Sequence, residues 1–325
     1  MIRLDLILIG ALAALLPGAD VSAQESPSSP SIQPLPNLEM LLQLSGESGA
    51  HYRIETSASL PAWDALVTLK STGLDEHTDS AAPYHAARFY RAASLTGSNI
   101  LTGDHLPTPQ GDVLIHPLFH ASVVLGWEGR TIYIDPDDDA AYAATYLGLP
   151  KADLLLVSHS HGDHFSASRI QTVRATNAVI IAPQDVYDSL SAALRSLTIV
   201  LTNGATAEVT GLTIEAVPAY NDNHPRGRGN GYVLTIGGRR MYFSGDTGDI
   251  PEMRALPDID VAFLCMNVPY TMTVDQAASA VRAFRPRVVY PYHYRNQGGG
   301  LSDLNRFKTL VAIDLGVEVR LRDWY

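Results

Sequence analysis

Three imidazoles and a carboxylate fall within six consecutive positions of the run 158–164, Ser-His-Ser-His-Gly-Asp-His. Neutral imidazole is the commonest protein ligand for first-row metals, and carboxylate oxygen is a frequent companion ligand. An apolar run at 154–157 precedes the cluster and favours a buried strand. Side-chain direction repeats every two residues along a strand, so His159 and His161 can reach one ion while the last two side chains of the run reach a second. A solvated histidine-rich loop is the alternative, and it leaves the preceding buried strand unexplained.

Three more polar residues follow predicted strands, as a site with two ions requires. His224 comes shortly after one strand, Asp246 lies in a glycine-flanked turn after another, and His293 lies just past a third. Taken singly, each has an ordinary explanation: His224 as a loop residue, Asp246 as a helix N-cap and His293 as a buried core histidine. Because all three occupy a strand-to-loop transition, as the cluster does, they are predicted to join it in one site.

The elements that must position these residues alternate between strands and helices from residue 99 onward. The predicted strands cover residues 113–115, 122–125, 131–134, 178–182, 198–201, 213–217, 232–236, 240–243, 261–265, 288–290 and 317–321. The predicted helices cover residues 166–176, 184–196, 274–284 and 301–315. Strands that often adjoin one another, interspersed with helices, favour an α+β fold with a layered sheet core covered by helices.

The beginning of the sequence has the pattern of a secretory signal peptide at residues 1–23. Arg3 supplies a positive end, residues 6–16 are apolar, and Val-Ser-Ala at 21–23 is typical of a cleavage site. The apolar stretch is too short for a permanent membrane span, although an uncleaved anchor is the alternative. We therefore predict export to the periplasm or the cell exterior, with a Ser/Pro-rich linker at residues 24–37.

Residues 38–97 consist of short alternating runs separated by turn residues, which predicts a small all-β module. This segment resembles the small β-sandwich accessory modules that are common on exported bacterial proteins. Such a module is a candidate for contact with a surface or a polymer. The remaining residues, 98–325, form the predicted second domain.

Composition narrows the classes of partner. The 325 residues have a formal net charge of −11 and contain no run of Lys or Arg, which argues against binding nucleic acid. The single cysteine, Cys265, lies in an apolar run and is predicted to be a buried small side chain. The candidate partners are therefore a small-molecule substrate and, for the all-β module, a surface or polymer.

The order His-x-His-x-Asp-His, His, Gly-Asp-Thr and Pro-x-His-Tyr resembles that of the metallo-β-lactamase superfamily over about residues 99–325. The pattern is most similar to the metal-dependent hydrolase branch, which includes ascorbate-phosphate lactonase-like and N-acylphosphatidylethanolamine phospholipase-like groups. The resemblance implies a four-layer αββα sandwich with its site at one edge between the two sheets. It also implies two divalent ions, usually zinc, with manganese and iron as alternatives. Its motifs place His159, His161 and His224 on the first ion, Asp163, His164 and His293 on the second, and Asp246 between both.

Two nearby dications lower the pKa of a bridging water toward neutrality, and they polarise the bond to be cleaved. The sequence therefore predicts a binuclear hydrolase of a small ester-like bond, with a lactone or carboxylic ester favoured. Phosphodiester (phospholipase-like) and β-lactam hydrolysis are the alternatives within that class. A non-catalytic metal-binding or surface-binding protein is the alternative outside it.

Asp163 and four further residues are candidates for direct roles or for the walls of the site. Asp163 is expected to orient the attacking hydroxide, and His120 is either a catalytic residue or a packed histidine. Tyr220, Tyr292 and Tyr294 flank predicted ligands, so they either donate hydrogen bonds to the substrate or line its pocket.

Overall fold

The structure, a computed structural model, describes residues 30–97, 99–139, 145–311 and 315–325. The chain divides into two compact units, the first ending at Pro107 and the second running Thr108–Tyr325. The predicted signal peptide and the first residues of the predicted linker lie outside the described residues. Within the described ranges, none of the helices is long and apolar enough to cross a membrane.

The first unit is built from strands, as predicted for the accessory module. Its strands are β1 (Ser31–Pro34), β2 (Met40–Ser45), β3 (His51–Ser57), β4 (Asp64–Lys70), β5 (Leu74–Asp79), β6 (Phe89–Leu95) and β7 (Gly103–Leu106). Strands β1, β2 and β5 form one antiparallel sheet, while β7, β4, β3 and β6 are hydrogen-bonded neighbours in that order. The prediction of a small all-β module is confirmed.

The limits of the first unit differ from the prediction at both ends. Strand β1 lies inside the predicted linker, because Ile32 packs against the hydrophobic core of the unit and β1 pairs with β2. At the other end, β7 pairs with β4 through the register Val67 to Asp104. That pairing places the structural division at Pro107 and not at residue 97.

The second unit contains two runs of strands that are hydrogen-bonded in chain order. The first run is β8 (Val113–Phe119), β9 (Ser122–Trp127), β10 (Arg130–Ile134), β11 (Ala152–Leu156), β12 (Arg174–Ala182) and β13 (Thr198–Val200). The second is β14 (Thr206–Val209), β15 (Leu212–Asn221), β16 (His224–Ile236), β17 (Arg239–Phe243), β18 (Val261–Cys265), β19 (Val288–Tyr292) and β20 (Glu318–Val319). Each run begins antiparallel and continues parallel, from β10 and from β17 respectively. The predicted α+β fold with two sheets is confirmed.

The two sheets of this unit meet through buried apolar strands and a few polar links. Strands β11 and β18 are apolar and almost fully buried, as expected for central parallel strands covered on both faces. Beside the carboxyl end of β11, the Tyr232 hydroxyl donates to the carbonyl of Val157, and the Asn230 amide donates to the carbonyl of Ser158. These links join β16 to the segment that carries the histidine cluster.

The α-helices of the described residues are α1 (Ala167–Val173), α2 (Gln184–Ser189), α3 (Ala192–Arg195), α4 (Pro251–Arg254), α5 (Val274–Phe284) and α6 (Leu304–Val311). Helix α5 has the predicted bounds, because Thr273 and Gln276 form a capping box at its start. The helix predicted over 184–196 is instead two helices. Leu190 is extended between them, and Ser191 caps the second by accepting a hydrogen bond from the Leu194 amide.

Candidate metal centre

The histidine cluster lies in the loop that follows β11, where the chain leaves the first sheet. Its turn closes when the amides of His164 and Phe165 donate to the carbonyl of His161. Asp246 lies after β17 and His293 directly after β19, while His224 opens β16 opposite Asn221. The structure therefore brings together all seven side chains that the sequence predicts as ligands, from both sheets of the second unit.

The first group consists of three imidazoles. One nitrogen from each of His159, His161 and His224 lies within 4.8 Å of the others. Nδ1 of His161 is 3.2 Å from Nε2 of His224. Ligands about 2.0–2.1 Å from one zinc ion in a tetrahedron lie roughly 3.4 Å apart, so this spacing suits a common ion.

Asp246 lies between this group and a second one, with each carboxylate oxygen turned to a different side. Oδ2 is 3.4 Å from Nε2 of His224 and 4.0 Å from Nε2 of His159. Oδ1 is 3.2 Å from Nε2 of His164 and 3.2 Å from Nε2 of His293. This orientation suits a carboxylate shared by two ions.

Asp163 completes the second group and brings a further histidine with it. Its Oδ2 is 3.6 Å from Nε2 of His293 and 3.9 Å from Nε2 of His164. The same oxygen is 3.0 Å from Nε2 of His120. His120 therefore lies at the site, where it could form a metal-holding group with Asp163 and His293.

The donor atoms of these groups fit cations. Within the described part of the chain, four of them are buried and have no hydrogen-bond partner: Nε2 of His159, His164 and His293, and Oδ1 of Asp246. A buried polar atom without a partner costs free energy, and coordination would remove that cost.

The acid–base properties of His159 and Asp246 also suit a cation. Burial, together with the adjacent His164, holds the pKa of His159 well below its usual value, so protons compete weakly for this imidazole. Burial raises the pKa of Asp246, but the imidazoles of His293 and His164 outweigh it and hold that pKa well below its usual range.

Comparison with known proteins agrees with this arrangement. The family described as the beta-lactamase superfamily domain matches residues 115–293. A UPF0173 metal-dependent hydrolase of Thermococcus onnurineus is 33% identical over 170 residues, which are 50% of this chain and 75% of that protein. The chain is a metal-dependent hydrolase of the metallo-β-lactamase superfamily. The resemblance in the order of its motifs is thereby confirmed.

Two solved structures are similar to this hydrolase. A crystal structure described as a metal-dependent hydrolase, from Parabacteroides distasonis, is 42% identical with a TM-score of 0.62 and covers 69% of this chain and 99% of that one. A metallo hydrolase from Ignicoccus hospitalis is 27% identical with a TM-score of 0.57 and covers 65% of this chain and 95% of that one.

A buried carboxylate behind the hydrolase site, Asp135, fixes the orientation of two candidate ligands. Its Oδ2 accepts hydrogen bonds from Nδ1 of His164 at 2.8 Å and from the Ser158 hydroxyl at 2.7 Å. The Ser158 oxygen in turn lies 3.0 Å from Nδ1 of His159. Because Nδ1 of each ring carries the donated proton, Nε2 of each is left with its lone pair facing the site. Sequence reasoning gave Asp135 no role.

We expect Asp135→Asn to weaken metal binding by about 10- to 100-fold, the usual effect of losing a partner behind a ligand. Asparagine tolerates the left-handed backbone of residue 135, whose φ is 46°. Its side-chain NH2 group only donates, so it cannot replace the oxygen that accepts hydrogen bonds from His164 and Ser158. Competition with a chelator would measure the affinity. Asp153→Asn is the control, because Asp153 accepts from the Thr131 amide away from the site. Equal affinity in the two variants would contradict this role.

Two asparagines were also missed by sequence reasoning. Oδ1 of Asn221 lies 2.9 Å from Nδ1 of His224 and can accept its proton. The Asn267 contact is made by the amide nitrogen instead, since Nδ2 lies 3.0 Å from Nδ1 of His293 and donates to it. An amide oxygen that accepts from Nδ1–H leaves Nε2 free for a cation. Both asparagines lie close in sequence to predicted site segments, but an asparagine does not by itself indicate such a role.

The three tyrosines proposed for substrate contact have other partners. Tyr292 is 0% exposed and its oxygen accepts from the Gly245 amide, while the Tyr294 hydroxyl donates to the carbonyl of Arg322. Both side chains are buried and hold structural contacts, and their contact with substrate stays a prediction. Tyr220 is half-buried, and its hydroxyl donates to Glu252.

A cavity of about 420 Å³, part of it open to solvent, adjoins the first imidazole group. Beyond the candidate ligands it is lined mainly by polar residues, among them Asp185, Asn223, Arg228 and Asn230. Arg228 donates to Asp185 at 2.7 Å across this lining. This polar lining suits a polar molecule.

Proposed function

We propose that this protein is a binuclear hydrolase that cleaves a lactone or a carboxylic ester of a small molecule. The observation that carries the proposal is the carboxylate of Asp246, whose two oxygens face different imidazole groups. One ion would use a single group, whereas the paired arrangement provides donors for two. Zinc is the ion we favour, because nitrogen donors dominate both groups.

When bound there, two divalent ions would lower the pKa of a water and polarise the scissile carbonyl. The residues of the chain itself would orient the attacking water and the imidazoles. The Asp163 side chain is 47% exposed, so water and substrate can reach its carboxylate. Asp163 is therefore the residue we propose to orient the attacking water. Asp135 and Ser158 hold the imidazoles behind it in one tautomer.

Apart from any bound ions, the side chains around the cavity favour a neutral substrate over a phosphodiester. Asp185 and Asp246 both line it, and the cation that lines it, Arg228, is already paired with Asp185. A phosphodiester would bring another negative charge to this lining. A lactone or carboxylic ester brings none.

If the substrate lies in this cavity, Arg228→Ala should raise KM about fivefold and leave kcat within about twofold. The loss corresponds to one hydrogen bond worth about 1 kcal/mol. Arg226→Ala is the matched control, because Arg226 lies on the same strand but pairs with Glu252 outside the cavity lining. Steady-state kinetics on the best substrate would measure both. Equal KM values in the two variants would place the substrate elsewhere.

The decisive experiment combines metal analysis with a substrate panel. The purified protein would be analysed for metal by plasma mass spectrometry and assayed on lactones, aryl esters, phosphodiesters and β-lactams. About two ions per chain with chelator-sensitive turnover of a lactone or ester is the expected result. If only phosphodiesters or only β-lactams are turned over, that class would replace lactones and carboxylic esters as the proposed substrates. Two ions without any turnover would favour a non-catalytic metal-binding protein, and no metal after reconstitution would refute the proposal.

Export is a second part of the proposal, supported by the pattern of residues 1–23. We place the enzyme in the periplasm or outside the cell, with the first unit in contact with a surface or polymer. Fractionation of cells that express the full chain or residues 24–325 would test this. Export of both chains, or of neither, would contradict it.

A further inference from the structure

His120 is held in the site from both ends of its backbone. Its φ of 55° places it in the left-handed region, which is uncommon for residues other than glycine. Its amide donates to the carbonyl of Trp324 at 3.4 Å, and its carbonyl accepts from the His293 amide at 3.0 Å. Its ring lies 3.7 Å from that of His293, centroid to centroid. This backbone geometry directs the imidazole toward the second group.

Both ring nitrogens of His120 have partners. Nδ1 is 2.9 Å from the hydroxyl of Tyr325, and Nε2 is 3.0 Å from Oδ2 of Asp163. The Tyr325 oxygen also accepts a hydrogen bond from the backbone amide of Arg295 at 3.2 Å. A continuous chain of hydrogen bonds therefore leads from Arg295 to the candidate ligand Asp163.

The direction of this chain follows from its first member. A backbone N–H can only donate, so the Tyr325 oxygen accepts from Arg295 and its own proton is free to go to Nδ1 of His120. Nδ1 must then be unprotonated, and the proton of the neutral ring must lie on Nε2, where it is donated to the carboxylate. The opposite tautomer would leave the tyrosine proton without an acceptor and would set a lone pair of Nε2 against a carboxylate oxygen. One tautomer satisfies all three contacts.

From these contacts we infer that Tyr325 fixes His120 as the Nε2–H tautomer, so that His120 positions Asp163 by donating to it and does not itself coordinate metal. The inference rests on the proposed ligand role of Asp163. It decides between two roles for an imidazole that lies as close to Asp163 and His293 as a third ligand would. His120 and Tyr325 are thus positioning residues, and Asp163 is the group through which they act.

The test is the nitrogen NMR spectrum of the histidine side chains, recorded on the whole protein with and without zinc. The His120 signals are assigned by their loss in His120→Gln. We expect the Nε2–H pattern in the wild type under both conditions. Tyr325→Phe removes only the hydroxyl and should produce a mixture with the Nδ1–H form. Tyr187→Phe is the control and should leave the His120 signals unchanged, because Tyr187 lies in α2 and its ring packs against Arg195 of α3.

A kinetic and a metal measurement complete the test. In Tyr325→Phe we expect kcat on the best panel substrate to fall about tenfold with KM within about twofold, because Asp163 loses a fixed donor. Bound zinc should remain near the wild-type amount. An Nδ1–H pattern or an Nε2 shifted by zinc in the wild type would overturn the inference, as would an unchanged tautomer in Tyr325→Phe. If no substrate is turned over, the proposed function fails, and the spectra still decide this inference.

Discussion

Replacing Asp246 by alanine is expected to remove at least one metal ion per chain and more than about 99% of hydrolysis. Both imidazole groups lose an oxygen in this variant, because Oδ1 faces His164 and His293 while Oδ2 faces His224. Removing a partner behind a ligand already costs about 10- to 100-fold, and a shared ligand should cost more. Metal analysis and steady-state rates on the best substrate would measure the effect.

The matched control for this variant is Asp188→Ala. Asp188 is exposed on α2 and its carboxylate accepts a hydrogen bond from the Gln184 side chain, so loss of that carboxylate should change neither metal content nor rate. Wild-type metal content and activity in Asp246→Ala would refute the assignment of Asp246. A loss in both variants would indicate a general failure to fold and would call for a thermal denaturation curve of each.

The second large effect is expected on stability, from Phe263→Ala. Phe263 is 0% exposed in β18, and its ring stacks between Phe243, with centroids 4.5 Å apart, and Tyr290, at 4.9 Å. Truncating a buried phenylalanine costs about 3–5 kcal/mol, because the apolar contacts are lost and a cavity remains. The free energy of unfolding, from denaturant titration followed by tryptophan fluorescence, should fall by that amount.

Leu147→Ala is the control for this loss of core volume. Leu147 is 79% exposed, so its truncation should change the free energy of unfolding by less than about 0.5 kcal/mol. A change below about 1 kcal/mol in Phe263→Ala would mean that this stack does not contribute to the core as described. The test needs no substrate and is independent of the proposed function.

Much of the site could be predicted because its ligand types are rare and lie at strand ends. His159, His164 and Asp246 follow apolar runs, and apolar runs bounded by glycine are a strong local signal for buried strands. Helix α5 was predictable for a similar reason, since its capping residues lie next to its apolar face. Local patterns of this kind survive folding because tertiary contacts reinforce them.

The residues that orient the ligands could not be predicted, because their roles depend on contacts between distant parts of the chain. Asp135 meets His164 across 29 positions, and Tyr325 meets His120 across 205. Strand β16 was likewise predicted to begin only at residue 232, because residues 226–231 are rich in arginine and glycine. In the structure this stretch pairs with β15 through backbone hydrogen bonds, which the side-chain types of residues 226–231 do not indicate.

The position of the candidate ligands on both sheets links metal binding to the folding of the second unit. His159, His161 and His164 leave the first sheet after β11, whereas Asp246 and His293 leave the second after β17 and β19. An unfolded chain holds no such constellation, so any ion bound to it favours the native state by mass action. At a free ion concentration about 100 times Kd, that linkage adds about 2.7 kcal/mol of stability. A bound ion would link the two sheets, and the melting temperature of this enzyme would rise with the concentration of free metal ion around it.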